Sequence, residues 1–288
     1  MHPTKQEIKD IHRLYKKTFA FDDGGTIDPY FQYQFHPENC WIIRDDNQIV
    51  SLLCAHPHRM YFHNGYLPVR FISGVITVEK KRHQGYMRRC FEELLKETQD
   101  TCGLYVLQAY HPEIYTSLGF EQRYFIRYVP YLGAALPNHC IPITSAVDCA
   151  DCAQAALREW EGWMDHDEDF YQAQLREAAA LHQTILGFYE NGQLAAFARW
   201  SQTETAMAIE EILARSNHAK QRLLAQLASC PRRLLYAVPA LAKEHGAQGN
   251  LMVKMGNQAL CQKNLGHMIT TCDDLYESDQ RYYHYGWW

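Results

Sequence analysis

The residues best placed to do chemistry lie in one run, Ser73-Gly74-Val75-Ile76-Thr77-Val78-Glu79-Lys80-Lys81-Arg82-His83-Gln84-Gly85-Tyr86-Met87, continued by Arg88 to Leu95. β-Branched residues open it, cations and a glycine follow, and Met87, Phe91, Leu94 and Leu95 then recur at helical spacing. The pattern predicts a strand, a short cationic loop and an amphipathic helix. A loop that opens a helix aims free backbone N–H groups and the positive end of the helix dipole at one spot, which suits a phosphate. Gly85 lets the backbone come close to such a ligand, because a Cβ there would fill the volume a ligand oxygen needs. A strand, a glycine and a helix are also ordinary α/β architecture, so the rest of the chain has to decide between the two readings.

Other reactive residue types are weaker candidates. Cys149-Ala150-Asp151-Cys152 has metal-like or redox-like spacing, but a zinc site needs a second ligand pair and none matches, so no metal is expected. The ten cysteines are scattered, several in apolar runs such as Leu52-Leu53-Cys54-Ala55, and read as buried thiols. Asp22, Asp23 and Asp28 would suit a cationic group, but a solvated, helix-terminating loop explains them better. The 15 histidines are dispersed.

Composition sets the frame. A chain of 288 residues is long enough for two domains, and 47% hydrophobic against 21% charged residues describes a sizeable core. With a net charge of −5 and no sustained basic run, nucleic acid is excluded as the expected partner. No apolar run approaches the ~20 residues of a membrane span. Met1 to Glu7 lacks the apolar core of a secretory signal, which makes a cytoplasmic protein the expectation.

The elements that must position the run read in order. Lys5–Phe21 is an amphipathic helix and Pro29–Phe35 a short aromatic one. Cys40–Arg44 and Ile49–Pro57 form a hairpin, Arg59–Phe62 and Leu67–Phe71 another around His63-Asn64-Gly65, and the next strand enters the cationic loop. Leu104–Leu107 is a buried strand, His111–Phe120 a short helix between proline and glycine, and Arg123–Pro130 the strand that closes the unit. Leu132–Pro142 reads as a linker. The order then repeats: helices over Cys149–Trp163 and Asp169–His182, a hairpin around Glu190-Asn191-Gly192, a strand over Ala206–Leu213, a helix over His218–Ala228 and a strand over Leu234–Val238. Where the first half has its glycine loop, the second has Arg215-Ser216-Asn217-His218-Ala219-Lys220, without glycine.

Arg82-His83-Gln84-Gly85-Tyr86-Met87 resembles the pyrophosphate loop of the GNAT acetyltransferase superfamily, Arg/Gln-x-x-Gly-x-Gly/Ala. Tyr115-Thr116-Ser117-Leu118-Gly119-Phe120 resembles that superfamily's Tyr-x-x-x-Gly-Phe segment. The large residues Tyr86 and Met87 and the repeated second half are similar to the tandem-domain Eis-like (enhanced intracellular survival) branch. The resemblance covers residues 5 to about 255. It implies an α/β fold with a mixed α+β sheet, built as two tandem GNAT-like (acyl-CoA N-acyltransferase) domains, the second degenerate. The expected divisions are 1–131, a linker 132–145, a second domain 146–255, and a tail 256–288 that docks on the first domain. The sequence departs from the branch in an almost absent first strand, in Glu79 where proline is common, and after Met255, where the remaining stretch is too short for a full sterol-carrier-like third domain.

The resemblance implies acetyl-CoA as co-substrate, with pyrophosphate on the backbone of Arg82, His83, Gln84, Gly85, Tyr86 and Met87 and the pantetheine arm beside Ile76, Thr77 and Val78. It implies Tyr115 as general acid and the terminal carboxylate, here that of Trp288, as base. The implied partner is an amine acceptor, a small cationic molecule, an aminoglycoside-like compound or a peptide lysine, with homo-oligomerisation open. A non-catalytic acyl-CoA-binding or regulatory module is the alternative.

Overall fold

The structure is a computed structural model and describes residues 1–21, 23–137, 139–202, 206–229, 232–277 and 280–283. In chain order the elements are α1 (Ile8–Thr18), α2 (Ile27–Tyr33), β1 (Cys40–Asp45), β2 (Gln48–Phe62), β3 (Gly65–Thr77), α3 (Tyr86–Thr98), β4 (Leu104–Leu107) and α4 (Pro112–Thr116). They continue with β5 (Glu121–Pro130), β6 (Ile141–Pro142), α5 (Ala146–Leu157), β7 (Trp163–Asp165), α6 (Glu168–Ala180), β8 (Leu186–Glu190) and β9 (Gln193–Gln202). The last are β10 (Ala206–Ala214), α7 (Asn217–Leu227), β11 (Arg233–Ala240), β12 (Gln248–Met255) and α8 (Gln258–Leu265). The fold is mixed α/β.

The described residues cluster into two compact units, Met1–Arg123 with the segment from Asn250 through α8, and Tyr124–Gly249 with residues 280–283. In the first unit the strand order is β1-β2-β3-β4-β12. Hairpins join β1 to β2 and β2 to β3 through Asp46-Asn47 and His63-Asn64, all at positive φ, the backbone that matches the strands' right-handed twist. The sequence reading splits this region into four shorter strands. They merge into β2 and β3 because Pro57 falls beyond the stretch that β1 pairs, where its missing N–H breaks no bond to that strand.

One face of this sheet packs under α3, with Trp41, Leu53, Ile72, Phe91, Leu94 and Phe120 buried together. The other packs under α1 and α2, with Ile11, Tyr15, Tyr30, Ile42, Leu52 and Ile76. Arg44 ties α1 to the sheet: its Nε and Nη2 donate to the two oxygens of Glu7 at 2.7 and 2.8 Å, which holds that carboxyl down at about 2.

Arg123–Pro130 does not close the first sheet. Phe125–Pro130 of β5 pairs antiparallel with β11, and the place beside β4 belongs to β12, with Met252–Met255 opposite Leu107–Leu104. Leu251, Met252 and Val253 are all buried, the two-sided apolar run a central strand needs, whereas β5 is half-exposed along much of its length. After β12, Gly256 and Asn257 donate their N–H groups to Gly103 and Cys102 carbonyls, and α8 follows in the same unit.

The second unit has the order β5-β11-β10-β9-β8-β6. Its β8–β9 hairpin turns at Asn191-Gly192, again at positive φ. Helix α5 starts at Ala146, earlier than its apolar spacing suggests, because Ser145 caps it by accepting from the Asp148 N–H. Cys149 and Cys152 sit buried on this helix, where burial pushes both thiols up to about 12.

Candidate active site

Two strands part company at the heart of the first unit. β3 and β4 run parallel over Val69–Ile72 and Leu104–Leu107, and the ladder stops there while β3 continues to Thr77. A bulge follows at once, since Leu52 faces Ile76 while Cys54 faces Ser73. Ser73, Gly74 and Val75 are half-buried between the buried Ile72 and Ile76, so the strand surfaces into the opening there. Gly74 is at φ +57°, and a Cβ would collide with the Tyr15 hydroxyl.

Beyond the bulge the backbone has a defined facing. Val78 N–H donates to Val50 O and Thr77 stands opposite Ser51, which makes that pair non-hydrogen-bonded and turns the N–H and C=O of Thr77 away from β2. The neighbours Ile76 and Val78 are engaged: the Ile76 carbonyl accepts from Ser51 Oγ at 3.0 Å, and the Val78 carbonyl accepts from the Lys81 N–H at 2.8 Å. Thr77 is therefore the strand residue whose backbone faces the open side, and its carbonyl accepts from Arg82 Nε at 3.3 Å.

The cationic loop closes on this strand end. Gly85 caps α3 at φ +81°, with no side-chain cap, and a Cβ built there would meet nothing within 4 Å. The first intrahelical bond runs from the Arg89 N–H to the Gly85 carbonyl, so the N–H groups of Gly85, Tyr86, Met87 and Arg88 have no helical acceptor. Five lysines and arginines and no acid lie between residues 80 and 89. This is an open, positive cradle that fits a pyrophosphate.

Asp45, at the end of β1, braces the loop from outside. Its Oδ2 accepts from Lys81 Nζ at 2.5 Å and from the Tyr86 hydroxyl at 2.9 Å, and these bonds hold the carboxyl below its ordinary value. Gln84 Nε2 donates to the Lys80 carbonyl, and His83 takes a left-handed backbone at φ +61°. The side chain of Met87 packs with the α3 core.

Tyr115 lies on α4, in the same apolar cluster as Val75 and Met87, with its ring edge-on to Phe91 and Phe120 at 6.1 and 6.2 Å. The two motifs separated in sequence are thus joined by one patch of core. No hydrogen bond holds its hydroxyl among the described residues, and burial raises its pKa, so the group stays protonated through neutral pH. A half-buried, neutral, unengaged hydroxyl is suited to giving up a proton.

A base is less defined. Trp288, and Asp22 of the acidic loop, lie outside the described residues. Asp28 is engaged by His12 and Lys16, both at 2.7 Å, and Asp23 caps α2 by accepting from the Ile27 N–H, so both acids serve the local fold. Ser73 and Asp45 carry no sign of a role of their own in the sequence. Ser73 is an isolated hydroxyl in a strand, and Asp45 looks like a turn residue; only the bulge and the fold-back of the loop give them their positions.

The second unit repeats the strand geometry and not the cradle. β10 and β11 pair in parallel over Ala206–Ile209 and Arg233–Tyr236, and a bulge again follows immediately. Arg215 N–H donates to Ala195 O as Val78 does to Val50 O, which sets Glu211 where the first unit has Gly74. Glu211 is buried, which pushes its carboxyl up to about 7. Helix α7 is capped internally, Ser216 Oγ accepting from the Ala219 N–H at 3.1 Å, and Arg215 Nε donates back to the Leu194 carbonyl.

Residues 2–123 match the family description "Acetyltransferase (GNAT) domain". No curated protein matches the chain. Among solved structures, a conserved Enterococcus faecalis protein described as a probable N-acyltransferase is similar over 92% of this chain and 74% of its own, with TM-score 0.75 and 15% identity. A GCN5-related N-acetyltransferase from Anabaena variabilis covers the same shares, with TM-score 0.74 and 14% identity. Eis1 from Mycobacterium abscessus aligns over 88% of this chain and 72% of its own, with TM-score 0.65 and 10% identity. At such identities these likenesses speak for the fold.

Proposed function

We propose that the GNAT acetyltransferase domain of residues 2–123 moves the acetyl group of acetyl-CoA directly to an amine, and that the chain is a member of the Eis-like branch. The single observation that carries this reading is the uncapped, glycine-opened start of α3 beside a strand that has left its partner. The pyrophosphate would lie on the N–H groups of residues 83–88 rather than 82–87, because the Arg82 N–H donates to the Glu79 carbonyl at 3.2 Å, and the Arg82 side chain would lie beside it. The pantetheine arm would run along β3 past Val78, Thr77 and Ile76, with the backbone of Thr77 as its main partner.

Amine acetylation needs a neutral nucleophile, a stabilised oxyanion and a proton for the departing thiolate. Tyr115 supplies that proton. The carboxylate of Trp288 is the proposed base, by the resemblance alone. The acceptor is a cationic amine, an aminoglycoside-like compound or a lysine. The second unit is non-catalytic: Ser216 already occupies an orphan donor of α7, and Glu211 places a carboxyl where the strand would have to admit the acyl arm.

A thermal-shift and thiol-release screen with acetyl-CoA against polyamines, aminoglycosides and lysine peptides tests the reading. Stabilisation by acetyl-CoA with thiol release in the presence of one amine class is expected. Stabilisation without release to any amine favours the binding-module alternative, and no interaction with acetyl-CoA ends both. Removing Trp287 and Trp288 with full retention of turnover excludes the terminal carboxylate.

A further inference from the structure

The buried hydroxyls of Ser51 in β2 and Thr98 in α3 have partners. Ser51 Oγ donates to the Ile76 carbonyl at 3.0 Å and lies 3.0 Å from Thr77 Oγ1; Thr98 Oγ1 donates to the Leu94 carbonyl at 2.8 Å. Ser73 is different: its Oγ is buried and has no hydrogen-bond partner among the described residues. A buried polar group left unpaired costs stability, and such a group in a native fold calls for an explanation.

Its position supplies one. Ser73 is the first residue of β3 past the last parallel pair with β4, in the bulge that opens the strand edge. It stands opposite Cys54, whose side chain lies under α1 and α2, so it shares that face of the sheet. Five strand positions separate Ser73 from Val78, a run of ~16 Å at the usual strand rise. An extended arm of two amides and a cysteamine, lying along β3 from a pyrophosphate held at residues 83–88, ends beside Ser73. A turn about χ1 between staggered wells breaks no hydrogen bond among the described residues, so the hydroxyl is free to reorient toward a ligand.

We infer that Ser73 is a substrate-contacting residue whose hydroxyl donates a hydrogen bond to the acyl carbonyl oxygen of the bound thioester. This rests on the acetyl-CoA reading above. The bond orients the carbonyl for attack and strengthens as its oxygen gains charge, the situation in which a donor contributes most to rate. The unpaired hydroxyl of the free protein is a partner held ready.

The test separates this inference from the reading beneath it and does not depend on the acceptor. Affinities for acetyl-CoA and for its thioether analogue S-ethyl-CoA, which keeps the arm and lacks the carbonyl, are measured by calorimetry on the full chain, with Ser73→Ala and Ser73→Thr. The wild type is expected to prefer acetyl-CoA by about fivefold, the worth of one hydrogen bond. Ser73→Ala should bind the two ligands equally and melt no lower than the wild type, since it deletes an unpaired polar group. Ser73→Thr should restore the preference. A Ser73→Ala protein that keeps the preference overturns the inference while the acetyl-CoA site stands. A clear fall in its melting temperature assigns Ser73 a structural role and overturns it too. A wild type that binds neither ligand removes the acetyl-CoA reading itself.

Discussion

Replacing Gly85 by alanine separates backbone strain from ligand exclusion. At φ +81° an L-residue costs ~1–2 kcal/mol relative to glycine. Gly192, at φ +78° in the β8–β9 turn, offers the control, because a Cβ at either glycine meets nothing within 4 Å. Both substitutions should lower the melting temperature by a similar ~2–6 °C. Only at Gly85 does the new methyl enter the space before the free N–H groups of α3. Losing two hydrogen bonds to a charged phosphate, ~1.5 kcal/mol each at the least, weakens acetyl-CoA binding by ~100-fold. Thermal melts without ligand and calorimetric titration with acetyl-CoA read the two effects apart. If Gly85→Ala and Gly192→Ala lose equal stability and both bind acetyl-CoA as the wild type does, the pyrophosphate does not lie at this helix start.

Tyr115→Phe should leave the acetyl-CoA affinity unchanged and lower turnover by ~10²-fold or more in a thiol-release assay; an unaltered kcat removes Tyr115 from the reaction. Because burial raises the Tyr115 pKa, any loss of rate from its ionisation should have its midpoint above the ordinary tyrosine value, and Tyr115→Phe should abolish that alkaline limb. Asp45→Asn loosens the brace shared by Lys81 and Tyr86, so acetyl-CoA should bind severalfold more weakly with little change in kcat; titration at two salt concentrations checks that the effect is not simple charge removal. Glu211 holds its proton in the fold up to about pH 7 against an ordinary value of 4.5. The folded state thus binds more protons across that window, and stability must fall as pH rises from 4.5 to 7, by up to ~3 kcal/mol. Urea denaturation of Glu211→Gln should show that slope flattened; an unchanged slope places the titration elsewhere.

The cradle was legible because its parts are local: a β-branched run, a glycine and helical spacing all fall within residues 73–95. The turns at Asp46-Asn47 and Asn191-Gly192 were legible for the same reason, since their residues set their own backbone. Tyr115 could be located only through the resemblance; what brings it to Met87 and Val75 is a shared core spanning three elements. The exchange of β5 for β12 beside β4 could not be read, because both segments are acceptable strands and only the two-sided burial of Leu251 to Val253 decides between them. Ser73 was invisible as a site for a related reason. Its significance is an absence of partners at a bulge, and a bulge is a mismatch between strands far apart in the chain.

The place of β12 beside β4 also bears on how the protein is made. The sheet that carries the proposed acetyl-donor site is not complete when residue 123 leaves the ribosome; its fifth strand, Gln248–Met255, is translated only after the whole second unit. At ordinary elongation rates that interval is on the order of 10 s, during which Leu104–Leu107 has no neighbour on the side β12 will cover. A nascent chain in that state exposes an apolar strand edge, so the first half must wait, or be shielded, until the second has been threaded past it. A fragment cut after residue 131 stays in that state permanently, and expressing it alone should yield aggregate rather than a small acetyltransferase.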